Sequence, residues 1–171
     1  EFGADALRMA LIVGVGPGAD SKFDMSKVRG YKNFANKIWN ITRFVLENTK
    51  EWDGQKPDTL SEADTENISQ LNDLVADVTK DMDNFRFYLA AEKLYHYVWH
   101  TFADKIIEES KEKLKNPDSN IVLSAQFTLK YILENCLKLL HPFMPFITEE
   151  IWTYLPNKKD NNLLIVTSWP K

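Results

Sequence analysis

Between Tyr31 and Phe44 the chain interleaves the side-chain types by which an unpaired nucleic-acid loop can be held. Lys32, Lys37 and Arg43 are cations suited to phosphates, and aromatic rings such as Phe44 are surfaces on which bases stack. Asn33, Asn36 and Asn40 each donate and accept, which is what reading a base edge requires. The same pattern also suits a helix with an aromatic core face and a solvated basic side. Spacing alone leaves both readings open.

Other chemistry is harder to seat. Cys136, the one cysteine, falls on an apolar helical stripe and reads as core packing, not as a nucleophile beside an imidazole. His96 and His100 stand one helical turn apart but have no third ligand nearby in sequence, and His141 suits the carbonyl end of a helix. Glu149 and Glu150 fit the first turn of a helix, where acids complement the dipole. Gly14-Val15-Gly16-Pro17-Gly18 lacks the Lys-Ser/Thr ending and the preceding strand of a phosphate loop. No catalytic residue and no metal ligand is expected.

With 171 residues, 44% hydrophobic and 27% charged, the chain has the length and balance of one globular domain. No apolar run approaches the ~20 residues that cross a bilayer, and no basic segment leads into an apolar one as a secretory signal would. A soluble, cytoplasmic domain without a membrane partner is expected. The net charge of −4 argues weakly against a general nucleic-acid binder, but its distribution matters more. From Lys22 to Lys50 seven basic residues (Lys22, Lys27, Arg29, Lys32, Lys37, Arg43, Lys50) face two acids (Asp24, Glu47). From Glu51 to Asn84 ten acids face two bases. One cationic face on an acidic body follows from this polarity, and so do two solvated helix faces of opposite sign packed side by side.

Almost everywhere apolar residues recur every three to four positions, the period of an α-helix. A short helix is expected from Asp5 to Val13, capped by Asp5 and closed by Gly14. A second runs from about Ser26 to Asn48 behind Asp24, and Gly30 within it implies a close approach by some other group. A third runs from about Glu62 to Asp83, opened by a Ser61/Asp64 box. A fourth spans about Tyr88 to Lys113, with a face broad enough for the centre of a bundle. A fifth covers Asn120 to Leu140, and a short sixth begins near Pro145. Leu163 to Val166 could pair as a strand or dock as an extended arm. Trp39, Tyr95, Trp99 and Trp152 read as core. The fold class is all-α: an antiparallel helical bundle with a short helix at either end and a short extended C-terminal tail.

Four stretches carry a resemblance to a known family. Gly3-Ala4-Asp5-Ala6-Leu7-Arg8 is similar to the segment after the signature loop of class I aminoacyl-tRNA synthetases for valine, isoleucine and leucine. Gly30 to Asn40 (Gly-Tyr-Lys-Asn-Phe-Ala-Asn-Lys-Ile-Trp-Asn) with Thr42-Arg43-Phe44-Val45, and the closing Ile165-Val166-Thr167-Ser168-Trp169-Pro170, look valyl. Leu140-His141-Pro142-Phe143-Met144-Pro145-Phe146-Ile147-Thr148-Glu149-Glu150-Ile151-Trp152 is shared across that subgroup. The likeness runs from end to end. Asp24-Met25-Ser26-Lys27-Val28 also looks like the Lys-Met-Ser-Lys-Ser loop of these enzymes, but it lacks the flanking lysine and serine and opens a long helix, so it is read as coincidence.

The resemblance implies the anticodon-binding domain of a valyl-tRNA synthetase, of the class I helical-bundle type. Residues 1–22 would be a junction after the catalytic domain, 23–156 the bundle, and 157–171 a tail toward a C-terminal arm. The parent would join valine to its tRNA with ATP and magnesium. This chain, lacking the catalytic and editing sites, would need no cofactor, be inactive alone, and have the tRNA anticodon stem-loop and the catalytic domain as partners. Carried over by position, Lys37 and Arg43 would contact phosphates or base edges, and Phe44 would stack on a base or fill the core. Asn33, Asn36 and Asn40 match the motif, Lys27 and Arg29 are substitutes for an arginine the family often has at Ser26, and Asp5 and Arg8 belong to the junction. The same domain of an isoleucyl or other subgroup enzyme, or a helical protein-interaction domain, stand as the alternatives.

Overall fold

The computed structural model describes residues 1–16, 18, 20, 24–156 and 163–170. The expected boundary at 22/23 lies outside the described residues, and that at 156/157 adjoins them. Local signals place most helix ends. The Asp24 carboxylate accepts from the Ser26 amide at 2.8 Å and opens α2, Met25–Thr49. Ser61 accepts from the Asp64 amide at 3.2 Å and opens α3, Glu62–Asp83, and Asp118 does the same for Asn120 at the head of α6, Ser119–Leu140.

Asp5 behaves otherwise. Helix α1, Ala4–Ile12, starts after Gly3 with no side-chain cap. The Asp5 carboxylate instead accepts from the amides of Phe146 and Ile147 at 3.3 and 2.7 Å, capping α7, Pro145–Thr153. Arg8 donates to the carbonyls of Phe143 and Pro142 at 3.1 and 2.8 Å. Two side chains of α1 therefore clamp both sides of the α6–α7 elbow, where helix ends leave amides and carbonyls unpaired. The cap expected of Asp5 within its own helix is corrected: it serves a helix more than 130 residues away, and Arg8 is likewise spent inside the domain.

The fourth helix begins at Phe87 and changes character midway: α4, Phe87–His96, runs into a π-helix, Tyr97–Ile106, and then α5, Ile107–Lys113. Leu94, Val98, Phe102 and Ile106 recur at a strict spacing of four, which drifts around a 3.6-residue turn. The wider i→i+5 turn takes up that drift, and all four are buried.

Contacts fix the directions. Tyr31 meets Tyr95, Phe34 meets Tyr95 and Trp99, and Lys37 meets Asp104, so α2 and the α4–π helix run parallel. Asp81 pairs with Lys93 and Asp64 with Lys113, so α3 runs antiparallel to that helix. Phe34, Phe102, Leu129, Leu133, Leu137 and Phe143 lie at the centre, and Met9 of α1 joins the same core. Of the four aromatics read as core, Trp152 is buried and Tyr95 and Trp99 pack against the core. Trp39 is corrected: it is 36% exposed and meets Tyr154 edge-on at 5.7 Å.

Among the described residues the tail forms no strand. Leu164–Val166 make one 3-10 turn, and the Glu149 carboxylate accepts from the amides of Leu164 and Ile165 at 2.7 and 3.3 Å. Trp169 donates from Nε1 to the Thr79 hydroxyl at 2.8 Å, so the tail docks across α3.

A methyl group added at Gly30 meets nothing within 4 Å, so among the described residues no group makes the close approach expected there. Gly30→Ala is therefore expected to raise stability by about 0.5–1 kcal/mol, read from the urea midpoint at unchanged slope. A loss of stability would show a contact at Gly30 that the fold conceals.

Candidate nucleic-acid interface

Helix α2 is amphipathic, and its two faces separate the candidate residues. Val28, Tyr31, Phe34, Ile38, Ile41 and Val45 point into the core. On the opposite side Arg29, Asn33, Asn36, Asn40 and Arg43 are all exposed, each three or four residues beyond the last. They form a straight stripe about 21 Å long, at 1.5 Å per residue, with a guanidinium at either end and three amides between. Among the described residues no hydrogen bond or ion pair occupies these five side chains. This juxtaposition needs the solvent face to be known, which an apolar stripe in sequence already defines.

Lys37 and Phe44 sit a quarter-turn away, at the lip of a shallow groove of about 240 Å³ between α2 and the π–α5 segment. Lys37, Asn40, Ile41 and Phe44 form one wall, and Ala103, Ile107, Glu108 and Lys111 the other. The Phe44 ring is half-buried against the core and open to the groove on one side. The Lys37 ammonium lies 3.0 Å from Asp104 and 5.6 Å from the centre of the Trp99 ring. A hydrogen bond from Lys37, helped by one from His100, holds the Asp104 carboxyl below the usual carboxylate range.

Lys27 is brought to neither place. Its ammonium donates to the Val13 carbonyl at the end of α1, and its role is to join α1 to α2. Sequence reasoning missed the far wall with its Lys111, and missed Asp104 on the π-helix, because both lie more than sixty residues from Lys37. No signal short of the parallel pairing of the two helices places them there.

Cys136 and His141 are turned inward, whereas His96 and His100 are exposed. Burial pushes the Cys136 thiol up, away from the thiolate that reactivity needs. His141 Nδ1 lies 2.8 Å from the Thr148 hydroxyl, and desolvation lowers its pKa below the ordinary histidine value. Among the described residues no three His, Cys, Asp or Glu side chains cluster as metal ligands, and no helix is long and apolar enough to cross a membrane.

Residues 64–171 match the family described as the anticodon-binding domain of tRNA ligase. Valine–tRNA ligases are similar over nearly the whole chain. That of Bacillus anthracis is 39% identical over 173 residues (99% of this chain, 19% of that protein). That of Thermotoga maritima is 40% identical over 171 residues (100% and 19%), and that of Xanthomonas oryzae pv. oryzae 43% over 152 residues (88% and 15%). The chain thus spans about a fifth of the length of the curated relatives it matches. Among solved structures, the ternary LeuRS-tRNA-LeuAMS complex of Agrobacterium radiobacter K84 agnB2 shares the fold, with a TM-score of 0.73 at 21% identity over 99% of this chain and 19% of that one. Methionyl-tRNA synthetase of Mycobacterium tuberculosis does so with a TM-score of 0.72 at 19% identity over 86% of this chain and 31% of that one. A family match over more than half the residues, on the helical bundle that those solved structures share, makes this chain a member of the anticodon-binding domain family of tRNA ligases.

Proposed function

We propose that the chain is the tRNA-gripping module of a valine–tRNA ligase, which holds the anticodon stem-loop so that the acceptor end reaches a catalytic site elsewhere in the parent. The observation that carries this is the 39–43% identity to valine–tRNA ligases over 88–100% of the chain, a range that includes α2. Arg29 and Arg43 would engage phosphates, Asn33, Asn36 and Asn40 base edges, and a splayed base would enter the groove beside Phe44, with Lys37 and Lys111 near its phosphate. ATP, magnesium and valine activation in the cytoplasm are assigned to the rest of the parent, since this chain spans about a fifth of the length of its valine–tRNA ligase relatives.

The test is a fluorescence titration with two anticodon stem-loops, one carrying the valine anticodon and one with its middle base changed. Preference for the first, weakening linearly with salt in log–log form, is the expected result. Equal binding would remove base reading from the asparagines. No binding at low salt, joined to charging of a different amino acid by the full-length parent, would overturn the reading.

Asp104 supplies an internal check. Asp104→Asn removes the acid that holds Lys37 and lies beside the groove, so stem-loop binding is expected to tighten a few-fold at low salt and less at high salt. Weaker binding would show that Asp104 orients Lys37 productively.

A further inference from the structure

The turn between α3 and α4 closes with a residue of the wrong type. The Arg86 amide donates to the Asp81 carbonyl at 2.8 Å and the Phe85 amide to that of Met82 at 3.0 Å, the hydrogen-bond pattern of a Schellman motif. That motif puts its C′ residue in the left-handed region, where glycine is preferred. Here the residue is Phe85, with φ of 58°. Among the described residues it is the one non-glycine with positive φ. The side chain gains little from the fold in return, because it is 77% exposed and its ring stands edge-on to Phe87, itself 42% exposed.

These rings do not stand alone. Phe85 and Phe87 line a groove with Leu11, Ile12, Val15 and Tyr88, and Leu11 is 55% exposed. Leu7 lies one turn earlier on the same face of α1 and is 41% exposed. Strain held at a bulky, solvent-facing residue within an apolar patch marks a surface made to be covered.

Position on the molecule selects the cover. The Lys27–Val13 contact ties this groove to the start of α2. Arg43 lies sixteen residues further along that helix, about 24 Å at 1.5 Å per residue. The patch therefore sits at the other end of α2 from Arg43 and Phe44. It is apolar where an RNA face would be cationic. About four-fifths of the length of the valine–tRNA ligase relatives lies outside the region matched by this chain. We propose that Phe85, Phe87 and Leu11 form a docking surface for the body of the parent ligase, with Phe85 as the anchor. The inference rests on the reading of the chain as a module of such a ligase.

The experiment uses Phe85→Gly in both the 171-residue chain and the full-length parent. In the chain, relief of the left-handed strain is expected to raise Tm by about 2–4 °C. In the parent the same substitution is expected to raise hydrogen exchange in segments 7–16 and 84–90 and to lower kcat/KM for tRNA charging by tenfold or more. Valine-dependent ATP–pyrophosphate exchange should stay unchanged. Leu11→Ser, which relieves no strain, should reproduce the losses in the parent. Equal exchange of these segments in the chain and the parent would overturn the proposal whatever amino acid the parent charges. Weaker stem-loop binding by Phe85→Gly in the chain would overturn it too, by making the rings an RNA contact. The anticodon titration tests the ligase reading separately.

Discussion

Asp64→Ala is expected to cost the chain about 3–5 kcal/mol of stability, measured by urea unfolding. Asp64 is 0% exposed and holds three elements together. Its Oδ2 accepts from the hydroxyls of Ser61 and Ser124, both at 2.7 Å, and its Oδ1 lies 2.6 Å from the Lys113 ammonium. The Ser124 hydroxyl in turn accepts from the Ser61 amide at 2.9 Å. Removing the carboxylate strands two hydroxyls and an ammonium that is only 18% exposed, and such groups cannot recover their hydration without opening the α3–α5–α6 packing. The double variant Asp64→Ala/Lys113→Met should recover part of the loss, because no unpaired charge remains. A single-variant loss below about 1 kcal/mol would mean that water replaces the carboxylate, and that the node is not structural.

Replacing Arg29 and Arg43 together by Ala is expected to act in the opposite way, on binding and not on folding. Both side chains are exposed and lie at the two ends of the amide stripe. If each neutralises one phosphate, the log–log salt slope should become shallower by about 1.4–1.8 for the pair. Affinity for the stem-loop at low salt should fall by about tenfold or more for each arginine. Stability should stay within about 0.5 kcal/mol of the parent sequence, since both side chains are exposed and neither has a hydrogen-bond or ion-pair partner among the described residues. An unchanged salt slope would move the phosphate contacts to the groove, to Lys37 and Lys111. A large drop in Tm would make the arginines structural.

These variants separate what can be read in a linear chain from what cannot. Three helix starts were legible in one dimension. Asp24 and Ser61 act on amides two or three residues ahead, and Pro145 is a first-turn residue. The apolar stripes of α2, α3 and α6 were legible too, because burial of one helix face needs only a period. With the buried face known, the exposed stripe from Arg29 to Arg43 followed as its complement.

The misreadings concern side chains whose partners are distant in sequence. Asp5 looked like a cap for its own helix because a nearby acid is the usual donor of that service; its carboxylate instead reaches Ile147, 142 residues on. Gly30 looked like a point of close approach, yet the space beside it is open among the described residues. Trp39 looked like core from its size, but it lies outside the buried sector of α2.

By itself the sequence determined the all-α bundle, the ends of most helices and the cationic face of α2, since each follows from interactions within a few residues or from a repeating period. Only the tertiary structure decided that Lys37 is held by Asp104 and Lys27 by Val13, that Phe44 borders a groove whose far wall carries Lys111, and that Phe85 is strained and bare. Those facts depend on which helix faces meet and in what direction. Helix-to-helix pairing is set by the fit of whole surfaces, a quantity that no local pattern of residue types contains.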